Sequence, residues 1–362
     1  MNEKMGVLMV GPLAKSGGVA NHTEYLVRSL DNFNIPVILY NSSFGGEIPR
    51  IIINIIKIHR RTFGMFYISI KNRKSFNIIH IQASGGLPGF LNAITGVFVS
   101  SILRKKLIVT FHHSDTRKFV EKHKEIVGIV VNMAKSFILV SNQQKKVFNN
   151  AFKDVNKIHV IPNGYDPILF RPINTSSVRK ELDLPPDRKI LVNIANLEEY
   201  KGQKYLIKAM KCVLATRDDV MLYIVGQGSL ERNLQSLIDK HGLQNNIILA
   251  GGNKPREEIP LWMNACDLFV LPSLSEGNPT VMFEALGCGK PFVGTNVGGI
   301  PEIIINEKLG ILVEPRDVNG LAEAILLALD TKWDRDYILK YAKQFTWNKI
   351  AERIMEVYEG LR

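Results

Sequence analysis

Strand-like runs alternate with helix-like runs along this chain of 362 residues, stop at a proline-rich stretch, and then begin again. In the first half, runs of apolar and β-branched residues at 6–10, 36–40, 78–81, 107–111, 137–140 and 158–161 bracket segments of helical spacing such as 19–30 and 143–152. The second half repeats the scheme, with strands at 190–195, 221–225, 247–250, 268–271, 291–294 and 310–313 and helices at 203–215 and 230–241. Strands separated by whole helices pair in parallel, and a parallel sheet needs helices on both faces. Two arrays in succession therefore predict two Rossmann-like α/β domains. Their join falls at 162–186, where Pro162, Pro167, Pro172, Pro185 and Pro186 interrupt both periodicities. The predicted division is 1–168, 169–345 and a helical tail, 346–362.

The length suits two cores of roughly 150–200 residues each. A hydrophobic share of 46% with 22% charged residues is that of a globular protein, which excludes disordered and fibrous classes. Cys212, Cys266 and Cys288 form no CxxC pair and sit in apolar or glycine-rich surroundings, so buried thiols in a reducing compartment are expected. The apolar run after Lys4 is too short for a secretory leader and leads into a glycine turn. Residues 87–103 are long and apolar, but Pro88, Gly89 and Asn92 fit a buried helix between two strands better than a membrane span.

The net charge of +12 is uneven, because residues 1–170 hold 22 Lys and Arg against 9 Asp and Glu. From Ile48 to Lys106 no acid occurs, while Arg50, Lys57, Arg60, Arg61, Lys71 and others accumulate. Such a half suits an anionic partner (a membrane surface, an acidic acceptor or a nucleic acid), although a solvated basic face accounts for it equally well.

Chemistry concentrates at 272–291. A strand ends at Pro272, a polar loop carries Glu276 and Asn278, and Pro279 suits the first position of a helix. The amides of Thr280, Val281 and Met282 would then face outward at a positive helix end, an anion site. Glu276 before that end and Glu284 one turn inside would repel phosphate and suit hydroxyl groups on either side of it. Alternatively, Glu276 caps the helix and Glu284 is a surface charge.

The segment resembles the E-x7-E signature of retaining glycosyltransferases of family 4, which have the GT-B fold. Gly17-Gly18-Val19, Ile161-Pro162-Asn163-Gly164, Lys201-Gly202, Val225-Gly226-Gln-Gly228 and Gly298-Gly299-Ile-Pro301-Glu302 follow that family's order and spacing. The resemblance implies two Rossmann-like domains facing each other across a deep cleft, the C-terminal helix returning to the first. It also assigns roles. Glu276 would meet the sugar, the amides of Thr280, Val281 and Met282 the phosphates, and Glu284 the ribose, while Asn278 and Gly226 would belong to the donor site whose loop shape and backbone set the choice of base and sugar. Gly17 and Gly18 would let backbone approach the diphosphate closely. His112, at the end of a strand beside His113, would face the donor sugar. The other histidines show no comparable setting.

Lys201 would neutralise the diphosphate, an attraction of about 4 kcal/mol at 4 Å and an effective dielectric of ~20. The family pattern carries an arginine five residues earlier, where this chain has Asn196. Asparagine brings no charge, and a charged hydrogen bond is worth roughly 1.5–3 kcal/mol.

The resemblance implies transfer of a sugar, with retention, from a nucleotide diphospho-sugar such as a UDP- or GDP-sugar to a glycan or lipid-linked acceptor. No metal or other cofactor and no nucleic acid partner are expected. The setting would be cell-envelope polysaccharide or glycoconjugate synthesis, in the cytoplasm or peripheral on the inner face of the membrane. Two rivals stand: a catalytically weak nucleotide- or glycan-binding partner of a synthesis complex, suggested by Asn196, and another GT-B enzyme such as a nucleotide-sugar epimerase. A dehydrogenase fits poorly, since Gly11 and Gly17-Gly18 do not give G-x-G-x-x-G.

Overall fold

The computed structural model describes residues 5–13, 17–44, 50–84, 86–153, 156–252 and 254–361. Lys4, Ile48 and the side chains of Arg50 and Ile51 lie outside the described residues. The chain forms two compact units, one of residues 1–164 with 347–362, the other of residues 165–346.

The first unit has a six-stranded parallel sheet in the order β2-β1-β3-β4-β5-β6. Its strands are β1 (Val7–Gly11), β2 (Val37–Asn41), β3 (Ile78–Ser84), β4 (Lys106–His112), β5 (Ser136–Leu139) and β6 (Ile158–Val160). The connecting helices are α1 (Gly18–Asp31), α2 (Arg50–His59), α3 (Met65–Lys71), α4 (Gly86–Leu103), α5 (Thr116–Lys122), α6 (Lys124–Met133) and α7 (Asn142–Ala151). A π-helical turn, Arg60–Gly64, joins α2 to α3. β1, β4 and β5 are buried almost throughout and read as largely apolar runs because both faces are covered. One core packs Val10, Ile81, Val109 and Phe137 under α4 and α6. The other packs Met9, Leu26, Ile108 and Ile138 against Trp347, Ile350, Ile354 and Tyr358 of the last helix.

The second unit repeats the plan in the order β12-β11-β10-β7-β8-β9. Its strands are β7 (Lys189–Ile194), β8 (Val220–Val225), β9 (Ile247–Gly251), β10 (Leu268–Leu271), β11 (Phe292–Thr295) and β12 (Gly310–Val313). Its helices are α8 (Thr175–Glu181), α9 (Gln203–Thr216), α10 (Glu231–Lys240), α11 (Ile259–Ala265), α12 (Thr280–Gly287), α13 (Val318–Asp330) and α14 (Arg335–Ala342); α15 (Trp347–Glu359) belongs to the first unit. The strand order reverses between β1 and β3 in one sheet and between β7 and β10 in the other. Loops leaving the carboxyl ends of strands diverge at such points, which makes them natural ligand crevices.

Two expectations change. Cys266 and Cys288 are buried, their thiols pushed up by burial, but Cys212 is exposed on α9. The 87–103 helix is only half buried, and Phe98 and Ile102 on its outer side are 63 % exposed. On α2, Ile52, Ile55 and Ile58 face outward.

Candidate active site

In the second unit, loops from β7, β10 and β11 are knitted together at the carboxyl edge. Leu274 N donates to Tyr200 O at 2.7 Å, and Gly299 N to Gly277 O at 2.8 Å. Gly298 has a φ of +59°, and a Cβ there would stand 1.9 Å from the carbonyl oxygen of Glu276. Only glycine lets the β11 loop press this closely on Glu276.

The Glu276 side chain is 6% exposed, and its Oε1 accepts from Ser273 Oγ and from Lys201 Nζ, both at 2.7 Å. A carboxylate taken out of water costs several kcal/mol unless a cation and further hydrogen bonds offset it, and here both are present. Lys201 Nζ also lies 5.2 Å from the centre of the Tyr200 ring. Glu276 therefore pairs with the lysine and does not cap the helix. α12 has Pro279 at its N-cap with no side-chain cap.

Pro279 was expected inside the helix, but its ψ of 123° is extended and places it one position ahead. Its carbonyl consequently takes the Met282 amide at 3.2 Å. The open helix end is thus Thr280 and Val281, without Met282; among the described residues nothing accepts from those two amides.

Glu284 lies one turn further on and is 6% exposed, so it is not a surface charge. Among the described residues none donates a hydrogen bond to its carboxylate. Burial pushes its carboxyl up to about 7, against a lowering pull from the charge of Arg256. Arg256 follows β9 and was not singled out in the sequence; a lone arginine in a charged loop carries no local signal. Asn278 is buried in the loop ahead of α12. Asn196 is exposed after β7, with its carbonyl accepting from Gln203 Nε2 at 2.9 Å. Gly226 follows β8 directly and donates to Gly251 O at 2.9 Å. Among the described residues, neither Asn196 nor Gly226 is hydrogen-bonded to Glu276 or Glu284.

In the first unit, Gly17 is the N-cap of α1 with a φ of +131°. A Cβ there would meet no atom within 4 Å. The glycine answers to backbone conformation, not to a close protein neighbour, and it leaves the helix end at Gly18 open to solvent. His112 closes β4, and its Nε2 donates to Gln82 Oε1 at 2.8 Å.

The expectation that other histidines lack a special setting is corrected. The His22 ring centre is 4.5 Å from that of His112, and His22 Nδ1 pairs with Asn163 Oδ1 at 2.9 Å. Behind Gln82, His80 bonds the Thr110 hydroxyl at 2.7 Å and the Tyr358 hydroxyl at 2.6 Å. Burial holds His22 down to about 4 and His80 to about 3, and it holds His112 well below the usual imidazole range. All three are neutral at physiological pH, so His112 offers a hydrogen bond but no charge. His113 points elsewhere, stacked on Phe111 at 5.8 Å.

A recess of about 480 Å³ in the first unit, lined by Lys145, His159, Ile161 and Arg353, contains none of these residues. Among the described residues no group of three His, Cys, Asp or Glu side chains is arranged to hold a metal ion.

Residues 16–168 match the sequence profile of Glycosyltransferase Family 4, and residues 174–345 that of Glycosyl transferases group 1. An uncharacterized glycosyltransferase of Methanocaldococcus jannaschii is 27% identical over 95% of both chains. The UDP-Gal:α-D-GlcNAc-diphosphoundecaprenol α-1,3-galactosyltransferase of Escherichia coli is 26% identical over 93% of this chain and 85% of its own. Among solved structures, Anabaena HepE in complex with UDP and glucose superposes with a TM-score of 0.78 at 21% identity, covering 98% of this chain and 100% of that one. Two parallel sheets of this order, with these matches, define a glycosyltransferase of the GT-B class. The chain belongs to the group 1, family 4 glycosyltransferases.

Proposed function

We propose that the protein transfers a sugar from a UDP-sugar to a glycan or lipid-linked acceptor with retention of anomeric configuration. The observation that carries this reading is the grouping of the Lys201–Glu276 pair, the open amides of Thr280 and Val281, and the unpartnered Glu284 on one edge of one sheet. Relatives whose names specify UDP or UDP-Gal support the choice of nucleotide. The ribose hydroxyls would donate to Glu284. The diphosphate would meet the α12 amides and Lys201, which supply the charge a metal supplies elsewhere, so we propose a metal-independent reaction. Glu276 would orient the sugar hydroxyls.

The bond from the anomeric carbon to the phosphate oxygen breaks, and negative charge grows on the leaving UDP. Donors already in place stabilise that charge more in the transition state than in the ground state. The acceptor hydroxyl attacks from the same face, and its proton passes to the leaving phosphate oxygen. His112, neutral and held by Gln82, would contact the sugar as a hydrogen-bonding group, not as a base. The pathway we propose is cell-envelope polysaccharide or glycoconjugate synthesis, in the cytoplasm or on the inner membrane face.

The test is a panel of UDP- and GDP-sugars scored by thermal protection, then acceptor-dependent release of free nucleotide and NMR of the product anomer. Release without acceptor, or an inverted product, would sink the reading. Asn196 favours a second reading, a nucleotide-binding partner with little turnover; nucleotide protection without release in any acceptor mixture would select it.

A further inference from the structure

The helices α3, α4 and α6 of the first unit complete the core over the sheet with their inner surfaces, and α2 packs on the π-helical turn beside them. Their outer surfaces are unusually apolar. Ile55, Phe63, Tyr67, Phe98 and Ile102 are each more than 60% exposed, and Ile129 and Met133 on α6 continue the patch at 58% and 50%. Phe63 lies 5.6 Å from the His59 ring, and the other positions are absent from the buried cores. On α4, Phe90, Ala93 and Val99 already fill the inward side, while Phe98 and Ile102, one turn apart, share the outward one. An exposed apolar area of this extent marks a binding surface.

Charge selects the occupant. Lys71 ends α3, Arg73 and Lys74 follow it, and Arg104 follows α4, so long basic side chains stand at the ends of the apolar stripes, while Lys105 lies with its Nζ 5.4 Å from the Phe76 ring. There they can lay their stems along the patch and place their charges at phosphate level. Between residues 50 and 106 no carboxylate opposes them. Arg60 and Arg61 act differently. Arg60 donates to Asn41 O at 2.8 Å and Arg61 to Pro88 O at 2.7 Å, tying the π-helical turn to the sheet and to α4. The outward residues therefore sit on a braced surface.

The helix α4 is long and apolar enough to cross a bilayer, with a mean hydropathy of 1.5 over 18 residues. Half of it is buried in the unit's own core, together with Asn92 and Ser100. It can lie on a membrane but cannot cross one without dismantling that core.

We propose that this face docks monotopically on an anionic lipid bilayer, with Phe63, Tyr67, Phe98 and Ile102 entering the headgroup boundary and the basic residues at the helix ends meeting lipid phosphates. The proposal does not depend on sugar transfer and stands or falls by its own measurement.

The full chain is sedimented with vesicles of phosphatidylglycerol and phosphatidylcholine at 1:3, and with phosphatidylcholine alone, at low and physiological salt. Wild type is expected to pellet with the anionic vesicles and to lose about tenfold in partitioning as salt rises or the anionic lipid is omitted. A Phe63→Ser, Phe98→Ser, Ile102→Ser variant should lose binding at both salts by tenfold or more. A Lys71→Glu, Arg73→Glu, Lys74→Glu variant should lose chiefly the salt-sensitive part. Unchanged melting temperature in both variants shows that they remain folded. Wild type left in the supernatant at low salt, or variants that bind as wild type does, would overturn the proposal. So would a concentration-dependent dimer dissolved by the same serine substitutions, which would assign the face to a second copy.

Discussion

Lys201 Nζ lies 2.7 Å from Glu276 Oε1, and the two side chains are 16% and 6% exposed. The lysine assigned to phosphate is thus already held by a carboxylate assigned to sugar hydroxyls, and the two must share it when a donor arrives. Removing either partner strands the other's charge. Glu276→Gln and Lys201→Met should each lower stability by about 1–3 kcal/mol, below the ~3–5 of a fully buried pair, because Lys201 keeps some contact with water. In urea unfolding, the double variant should recover a large part of that loss. Simple additivity of the two losses would show the pair to be uncoupled.

Glu284 gives a pH signature of opposite sign to that of an ion-paired acid. Its folded pKa, about 7, lies above its ordinary value of 4.5. The unfolded chain therefore gives up this proton first as pH rises. Stability from this group is complete below about 4.5, falls between there and about 7, and stays low above. Glu284→Gln should stabilise the ligand-free protein at pH 8 by about 1–3 kcal/mol and have no such effect at pH 4, while weakening UDP binding. Thermal melts across that range check the first part and calorimetry the second. UDP affinity of the wild type should rise from pH 5.5 to 8 as the carboxylate forms.

Gly298→Ala tests the contact that holds Glu276 from behind. The added methyl would sit 1.9 Å from a backbone oxygen at a φ of +59°, so the β11 loop must move. A loss of more than about 2 kcal/mol in stability, or of most turnover, is expected. A variant as stable and active as wild type would mean that the two loops are free to separate.

Asn196→Arg restores a cation after β7. A charged hydrogen bond is worth roughly 1.5–3 kcal/mol before the cost of ordering the side chain. A three- to tenfold fall in the UDP dissociation constant, reduced by salt, is the expected net result. No change would mean that Arg256 or another cation already serves the phosphates.

Gln82→Leu removes the acceptor that orients His112. Turnover should fall by about ten- to a hundredfold, since small misplacements at a reacting centre are costly. Protection by UDP alone should not change, which separates a positioning role from a loss of fold.

Both sheets were legible because their central strands, such as β1, β8 and β10, are covered on two faces and read as apolar runs between helical segments. The loop at 272–284 was legible because its parts are adjacent in sequence. What escaped was made by distant residues. His22 meets Asn163 and His80 meets Tyr358 only after the sheet and α15 assemble, so neither histidine carries a local sign of its setting. The shift of Pro279 and the loss of the Met282 amide turn on a single ψ angle, below the reach of residue types.

The placement of α15 has a consequence for how the protein is made. Trp347, Ile350, Ile354 and Tyr358 complete a core whose other members, chiefly from α1 and the strands β1, β3, β4 and β5, all precede residue 165. The segment 165–346 lies wholly between those two contributions. On the ribosome, the second unit therefore has every residue it needs before the first does, and the order of folding can run opposite to the order of translation. The first-made strands must wait with their Tyr25 and Leu26 side uncovered, which makes them the part of the nascent chain most in need of a chaperone.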